Sequence, residues 1–204
     1  MKKLILIISI ASSLGMNAQN TDIKTLQKAF KDSYTQEQSA NYQGAIDVLK
    51  PYYAESSYEL NLRLGWLTYM AGKLNESISY YEKAVKLMPY SIEAKLGLIY
   101  PLSAMKSWDA VIVQYNEILK ITPGNTTANY QLGLIYYYRE KYAEAKKYFE
   151  VFLNLYPFEY DAVIMSAWTY FKLGQFNEAK LLFNKALLLR PTDTSALEGL
   201  SYIK

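Results

Sequence analysis

Residues 132–157 read LGLIYYYREKYAEAKKYFEVFLNLYP and carry the pattern that decides the fold. Apolar and aromatic residues recur at helical spacing on both sides of a short turn, which predicts two consecutive helices. A proline inside a helix removes one backbone hydrogen bond and clashes with the preceding turn, so the second helix should end before Pro157. The stretch therefore predicts a helical hairpin.

The same pattern recurs along the chain with a period of 34 residues, and each period closes on a proline in KLMP, KITP, NLYP or LLRP. The twelfth and fifth residues before each proline are mostly small or slim, and the eighth is aromatic. This alternation predicts antiparallel helices that cross at small residues and are locked by a ring packed beside them. The four sets are Pro89, Pro123, Pro157 and Pro191; Ser77, Val111, Ala145 and Ala179; Tyr81, Tyr115, Phe149 and Phe183; and Ala84, Ile118, Phe152 and Ala186.

Small residues also mark the first helix of each unit. Gly65, Gly133 and Ala167 share one position, where a short side chain lets the first helix approach the second. Gly72 and Gly174 fall where the first helix should end, and glycine suits the left-handed residue that follows a helix C-terminus. No run alternates with a period of two, so we expect no sheet.

These residues resemble the tetratricopeptide repeat family, whose pattern has Leu-Gly in the first helix, Gly-x-Tyr-x-x-Ala at the turn and a closing Pro. The resemblance implies an all-α fold, a right-handed superhelical α-solenoid of helix-turn-helix repeats. The residues that match in 65–89, 132–157 and 167–191 are Gly65, Gly72, Tyr81, Ala84 and Pro89; Leu132, Gly133, Tyr136, Tyr142, Ala145, Phe149 and Pro157; and Ala167, Tyr170, Gly174, Phe176, Ala179, Phe183, Ala186 and Pro191.

Two units depart from the pattern. The third carries Ile99 where the others have a small residue and Pro101 inside its first helix, so we expect a kink or a shifted helix there. The first is shorter and has Pro51 within its second helix. The expected organisation is a signal peptide (1–18), a short linker (19–25) and a solenoid (26–204) of repeats 26–57, 58–91, 92–125, 126–159 and 160–193 with a half repeat 194–204.

In the family, the first helices line a concave groove, and the resemblance implies that the second, fifth, ninth, twelfth and thirteenth places of each unit face it. Aromatic residues are concentrated at these places, which predicts a large apolar binding surface. Rings at helical spacing also pack between neighbouring repeats, so both interpretations stay open for each ring. Tyr136 and Tyr142 are assigned to the core instead. The predicted partner-binding residues are Tyr34, Trp66, Tyr69, Tyr100, Tyr130, Tyr137, Tyr138, Trp168, Phe171 and Tyr202.

Other proteins are the expected partners of this groove. Some family members grip a C-terminal carboxylate with Lys and Asn at groove places that are apolar or aromatic here, so that clamp is not expected. An extended apolar segment or an amphipathic helix of another protein suits the groove better. The alternative is a carbohydrate or cell-wall polymer stacked on Trp66 and Trp168. A homodimer through the last helix, which carries Leu197, Leu200 and Ile203, is a further possibility.

The first eighteen residues have the layout of a secretory signal peptide. Lys2 and Lys3 precede an apolar run from Leu4 to Leu14, and the small residue Ala18 follows. The run is shorter than the ~20 residues that cross a bilayer. We therefore expect cleavage after Ala18 and export, to the periplasm or out of the cell.

The composition argues against catalysis. The sequence has no His and no Cys, which excludes an imidazole base, a thiolate nucleophile and a histidine-bound zinc. Without Lys2 and Lys3 the chain carries 20 basic and 19 acidic residues, a net charge of about +1 that does not favour nucleic acid. We expect a non-catalytic scaffold or adaptor of the cell envelope, with no cofactor, no metal, no nucleic-acid partner and no stable membrane insertion.

Overall fold

The computed structural model describes residues 22–203, which form eleven α-helices, one short 3₁₀ turn and no strand. The helices alternate as A and B helices of successive hairpins. The A helices are α1 (Ile23–Gln38), α3 (Tyr58–Met70), α5 (Ile92–Ala104), α7 (Thr126–Tyr138), α9 (Tyr160–Lys172) and α11 (Thr194–Ser201). The B helices are α2 (Tyr42–Leu49), α4 (Leu74–Leu87), α6 (Trp108–Ile121), α8 (Tyr142–Leu155) and α10 (Phe176–Leu189).

From the second hairpin onward, the A helices begin 34 residues apart, at residues 58, 92, 126, 160 and 194. These are the starts predicted for the repeats. The first hairpin begins at Ile23 rather than at residue 26, so α1 takes in the end of the predicted linker. The predicted signal peptide, residues 1–18, lies outside the described residues.

Each A helix from α3 onward starts on a side-chain cap. The residue before the helix accepts a hydrogen bond from the backbone N–H three positions later, which satisfies a donor that the helix itself leaves unpaired. The same interaction at each of these five helices explains why they start in register. The caps are Ser57, Ser91, Asn125, Glu159 and Asp193.

The turn between the A and B helices contains one residue with positive φ in every hairpin. Gly72 and Gly174 adopt φ of 74° and 72°, which confirms the expected left-handed conformation. In the other three hairpins the same place is held by Ala40, Lys106 and Glu140, with φ of 57° to 58°. The turn geometry is therefore fixed by the hairpin even where glycine is absent.

The core is built where the B helices meet the A helices. The four rings on the B helices are buried, as are the small or slim residues one turn before them. A Cβ atom added at Gly133 would lie 2.5 Å from the Phe149 ring, and one added at Gly65 would lie 2.9 Å from the Tyr81 ring. The close crossing predicted from the sequence is therefore present, because glycine leaves room for the ring.

Two prolines interrupt the pattern without shifting its register. Helix α5 runs through Pro101 and keeps the 13-residue length of α3, α7 and α9. Ile99 packs in the core at the place where the other A helices have a small residue. Pro51 falls in a 3₁₀ turn, Lys50–Tyr52, so α2 ends at Leu49 after only 8 residues.

Candidate partner-binding groove

The surface formed by the A helices is called here the A-helix face. Nine of the ten predicted partner-binding residues belong to these helices, and Tyr202 directly follows the last one. Four of the rings are half exposed or more: Tyr34 (49%), Tyr100 (51%), Tyr138 (75%) and Tyr202 (56%). The other six are partly buried, so neither full exposure nor full packing describes the set. These six are Trp66, Tyr69, Tyr130, Tyr137, Trp168 and Phe171.

A first ring cluster joins two neighbouring repeats. Trp66 and Tyr69 of α3 lie beside Tyr100 of α5, with ring centroids 5.6 to 6.0 Å apart. The indole N–H of Trp66 donates to the Glu37 Oε1 atom of α1 at 2.5 Å. Trp66 is therefore held in place by both adjacent repeats, while Tyr100 offers half of its surface.

A second ring cluster lies at the C-terminal end of the A-helix face. The ring centroids of Trp168 and Phe171 of α9 lie 5.5 Å apart, and they lie 6.5 and 6.0 Å from that of Tyr202. Trp168 also packs edge-on against Phe183 of the core, and its indole N–H donates to Ser195 Oγ at 2.8 Å. Trp168 therefore connects the core to the exposed ring of Tyr202.

The middle of the face is less regular. Tyr137 contacts Tyr138 and Tyr142, with centroids 5.6 and 5.4 Å apart. Helix α5 carries Ser103 and Ala104 at the places where α7 has Tyr137 and Tyr138, so the row of rings is interrupted there. The two ring clusters are consequently separate surfaces rather than one continuous stripe.

Tyr130 and Tyr136 point toward the body of the repeat. The Tyr130 ring lies 6.0 Å from Phe149 and 5.7 Å from Phe152. The Tyr136 ring stacks on Tyr148 at 5.5 Å, nearly parallel, which fits its assignment to packing. Tyr130 is thus the predicted partner-binding residue with the strongest packing role.

Sequence reasoning missed a cleft of about 480 Å³ beside Trp108. Trp108 begins α6 and lines this cleft with Leu134, Ile135 and Tyr138 of α7. Its indole N–H has no hydrogen-bond partner among the described residues, unlike those of Trp66 and Trp168. The sequence does contain one signal for Trp108, which is its place in the repeat. Tyr142 and Phe176 are the first residues of the next two B helices, as Trp108 is of α6.

A second cleft, of about 470 Å³, opens between α1, α3 and α5, and we call it the N-terminal cleft. Its apolar wall is Phe30, Tyr34, Leu62 and Trp66, and its polar side includes Tyr58, Glu59, Arg63 and Glu93. Two of these lining residues, Tyr34 and Trp66, belong to the predicted partner-binding set. The cleft therefore adds charged groups to a surface that the sequence suggested was aromatic only.

Arg63 is a buried cation that is already paired. Its guanidinium group forms an ion pair with Glu37, donates to Ser33 Oγ at 3.2 Å and covers the Tyr34 ring at 3.9 Å. A buried charge is stable only when it is paired and hydrogen-bonded in this way. Arg63 thus holds α3 against α1, and its charge is already neutralised by Glu37 of α1.

Three tyrosines of the A helices are held in their neutral form by their surroundings. Burial, with a smaller contribution from the nearby carboxylates of Asp161 and Glu159, raises the pKa of Tyr130 to about 12. Burial also raises the pKa of Tyr137 and of Tyr58. Their hydroxyl groups therefore remain hydrogen-bond donors at physiological pH.

Within residues 22–203, no three or more acidic side chains come together in an arrangement that would hold a metal ion. Over the same span, none of the helices combines the length and the apolar character that crossing a bilayer requires.

Models of the tetratricopeptide repeat match three segments of the sequence, residues 58–90, 126–158 and 161–193. Each segment coincides with one observed hairpin. These three segments are therefore similar to tetratricopeptide repeats. A TPR repeat-containing protein of Methanocaldococcus jannaschii is 34% identical over 90 residues, a match that covers 41% of this chain and only 16% of that relative.

Solved structures with tetratricopeptide repeats share the fold. A crystal structure of MamA superposes with a TM-score of 0.69 at 23% identity, covering 88% of this chain and 96% of MamA. A tetratricopeptide repeat protein from Parabacteroides merdae gives 0.73 at 22% identity, covering 86% of this chain and 71% of that protein. The predicted right-handed superhelical α-solenoid is confirmed.

Proposed function

We propose that the protein is a non-catalytic scaffold or adaptor that holds an extended or helical segment of another protein on its A-helix face. Tetratricopeptide repeat proteins bind other proteins, and the repeats here present aromatic rings on the face that lines the concave groove of such solenoids. The proposal includes no cofactor and no chemical step, since the sequence offers neither His nor Cys.

The two ring clusters are the observation that carries this proposal. Each cluster joins rings from consecutive A helices and leaves one tyrosine, Tyr100 or Tyr202, half exposed. Rings of this kind combine a wide rigid contact area with a hydrogen-bonding hydroxyl group, which suits the centre of a protein interface. Burying one such ring fully would contribute about 1.5 to 3 kcal/mol to binding.

Export is the second part of the proposal. The layout of residues 1–18 supports a cleaved signal peptide and a role in the cell envelope, periplasmic or secreted. If the protein acts in the cell envelope, its partner is a segment of another envelope protein.

The carbohydrate alternative has less support. A sugar ring stacks on an open indole face and its hydroxyl groups need free polar partners nearby. The indole N–H groups of Trp66 and Trp168 are already bonded to Glu37 and Ser195, and both rings pack against other aromatic residues.

A pair of double variants tests the proposal. Tyr100→Ala with Tyr138→Ala removes two exposed rings of the A-helix face, and Tyr90→Ala with Tyr156→Ala removes two equally exposed rings from loops between repeats. The partner should be captured from an envelope extract by the wild type and by the loop variant, and lost by the face variant. Circular dichroism melting curves would show that both variants remain folded.

Quantitative mass spectrometry of the captured proteins measures the result. A protein retained by all three forms contradicts the proposal, since the exposed rings would then contribute nothing to binding. A protein lost only from the loop variant would move the binding surface to the loops between repeats.

A further inference from the structure

We propose that the N-terminal cleft takes a lysine or arginine side chain of the bound segment. This inference rests on the proposed function and specifies the chemistry of the partner. A basic side chain that is flanked by apolar residues would fit a cleft with one aromatic wall and one acidic rim.

The rim of the cleft carries negative charge that the protein does not neutralise. Glu59 and Glu93 lie in the first turns of α3 and α5, and both line the cleft. Within the described residues they accept hydrogen bonds only from Ser57 Oγ and from the Tyr58 hydroxyl group, and neither forms an ion pair. Because Arg63 is paired with Glu37, these two carboxylates leave the cleft with two uncompensated negative charges.

The cleft also contains a tyrosine hydroxyl group that no described residue bonds to. Tyr81 is only 3% exposed and lines the cleft, yet its hydroxyl group has no hydrogen bond to any described residue. Phe149 and Phe183 hold the same place in later repeats, so the packing needs only the ring. The hydroxyl oxygen itself is not fully enclosed, so a ligand in the cleft can reach it and bond to it.

The remaining walls suit the aliphatic part of a basic side chain. Lysine and arginine pack their methylene groups on apolar surface while the charged end keeps polar partners. Leu62, Phe30 and Trp66 supply that surface in a cleft of about 470 Å³. The charged end would lie between the Glu93 carboxylate and the Tyr81 hydroxyl group, both of which accept hydrogen bonds from an ammonium or guanidinium group.

Lys31 is a basic side chain that could compete for this charge. It lines a neighbouring cleft that Glu59 also borders, but it forms no ion pair with Glu59. Glu93 does not border that second cleft, so its charge is the more specific feature of the N-terminal cleft.

Selection from a phage-displayed library of random linear peptides tests the inference. Peptides selected by the wild type should be enriched in Lys or Arg beside large apolar residues. Selection by a Glu93→Gln, Tyr81→Phe double variant should lose that enrichment. Gln keeps an acceptor for Tyr58, and Phe is the residue found at this place in two other repeats, so the variant should fold.

The matched control is Asp161→Asn with Tyr115→Phe. It makes the same chemical changes at the same places of other repeats, outside the cleft. This control should keep the preference for basic peptides. A preference that persists in the cleft variant, or is lost equally in the control, overturns the inference.

Binding constants of one selected peptide give the size of the effect. Glu93→Gln should weaken binding about five-fold, as for a partly exposed ion pair. Tyr81→Phe should weaken it about ten-fold, as for a hydrogen bond to a charged group. Added salt should weaken wild-type binding more than that of Glu93→Gln.

The failures of the two proposals are distinguishable. If no peptide is selected, or if the Tyr100→Ala, Tyr138→Ala variant binds the selected peptides unchanged, the proposed function fails and the inference with it. If peptides are selected and lost by that variant but carry no basic residue, only the inference fails.

Discussion

The left-handed residue of each A–B turn shows how much a single position contributes. Three of the five turns place Ala40, Lys106 or Glu140 there, although a side chain costs about 1 kcal/mol or more in this conformation. The turn keeps its conformation because the two helices that it joins are fixed by packing. These three positions therefore store strain that the fold tolerates.

Replacing Glu140 by Gly should relieve that strain. We expect Glu140→Gly to raise the free energy of unfolding by about 1 kcal/mol, because glycine adopts positive φ without a steric penalty. Urea unfolding measures the difference. Glu140→Ala is the matched control, since it removes the carboxylate but keeps the Cβ atom. Equal stability of the Gly and Ala variants would show that no strain is stored.

At this scale the periodic residues were predictable and the cross-repeat contacts were not. The buried rings and the small residues of the core recur with the repeat, so one sequence reveals them. Trp66 bonds to Glu37 and Trp168 bonds to Ser195, at sequence separations of 29 and 27 residues. These separations differ from the 34-residue period, so the repeat pattern does not predict the bonds.

Two A helices fasten the loop that precedes them with a side-chain amide. Asn61 donates to the backbone carbonyls of Glu55 and Ser57, and Asn129 donates in the same way to Pro123 and Asn125. Both amides are buried, so each bond replaces one to water. Helices α5 and α9 have Lys95 and Val163 at this place and lack the interaction.

Removing one of these amides should loosen a single loop. Asn129→Ala should lower the free energy of unfolding by about 2 kcal/mol, because the loop loses two hydrogen bonds from a buried side chain. Thermal melting measures the loss, and hydrogen exchange of residues 122–125 locates it. Asn184→Ala removes an exposed amide on α10 and should leave stability unchanged. A similar loss in both variants would contradict this account of the loop.

Helix boundaries followed from the sequence, but the tolerance of Pro101 did not. The 34-residue period located the A helices because caps and turns repeat with it. Pro101 should have disturbed α5 on local grounds. The helix continues because its neighbours bury it on several sides, and that burial depends on residues of the adjacent repeats.

For the whole molecule, export is the prediction that determines where any partner is met. The mature chain should begin at Gln19, since the signal peptide is expected to be cleaved after Ala18. Intact-mass measurement of the exported protein tests this directly. Ala18→Phe should leave the precursor uncleaved, because signal cleavage requires a small residue at that place. An exported wild type that retains residues 1–18 would contradict the prediction.

The architecture was predictable from one sequence because every repeat carries the same pattern of residues. The candidate site was predictable only in outline. Nine of the ten predicted partner-binding residues lie on A helices, and Tyr202 directly follows the last of these helices. Their division into two ring clusters, the Trp108 cleft and the acidic rim of the N-terminal cleft depend on contacts between repeats. Such contacts depend on residues that differ from one repeat to the next, and the periodic pattern contains only the residues that the repeats have in common.

The side-chain hydrogen bonds of the solenoid join residues of the same repeat or of neighbouring repeats. Among residues 22–203 the longest joins Tyr58 to Glu93, 35 residues apart. A chain with such contacts has a low contact order and can fold from one end without waiting for the other. A protein that emerges through an export channel N-terminus first could therefore complete each hairpin as it appears, and the first ring cluster would be assembled before the second had left the channel.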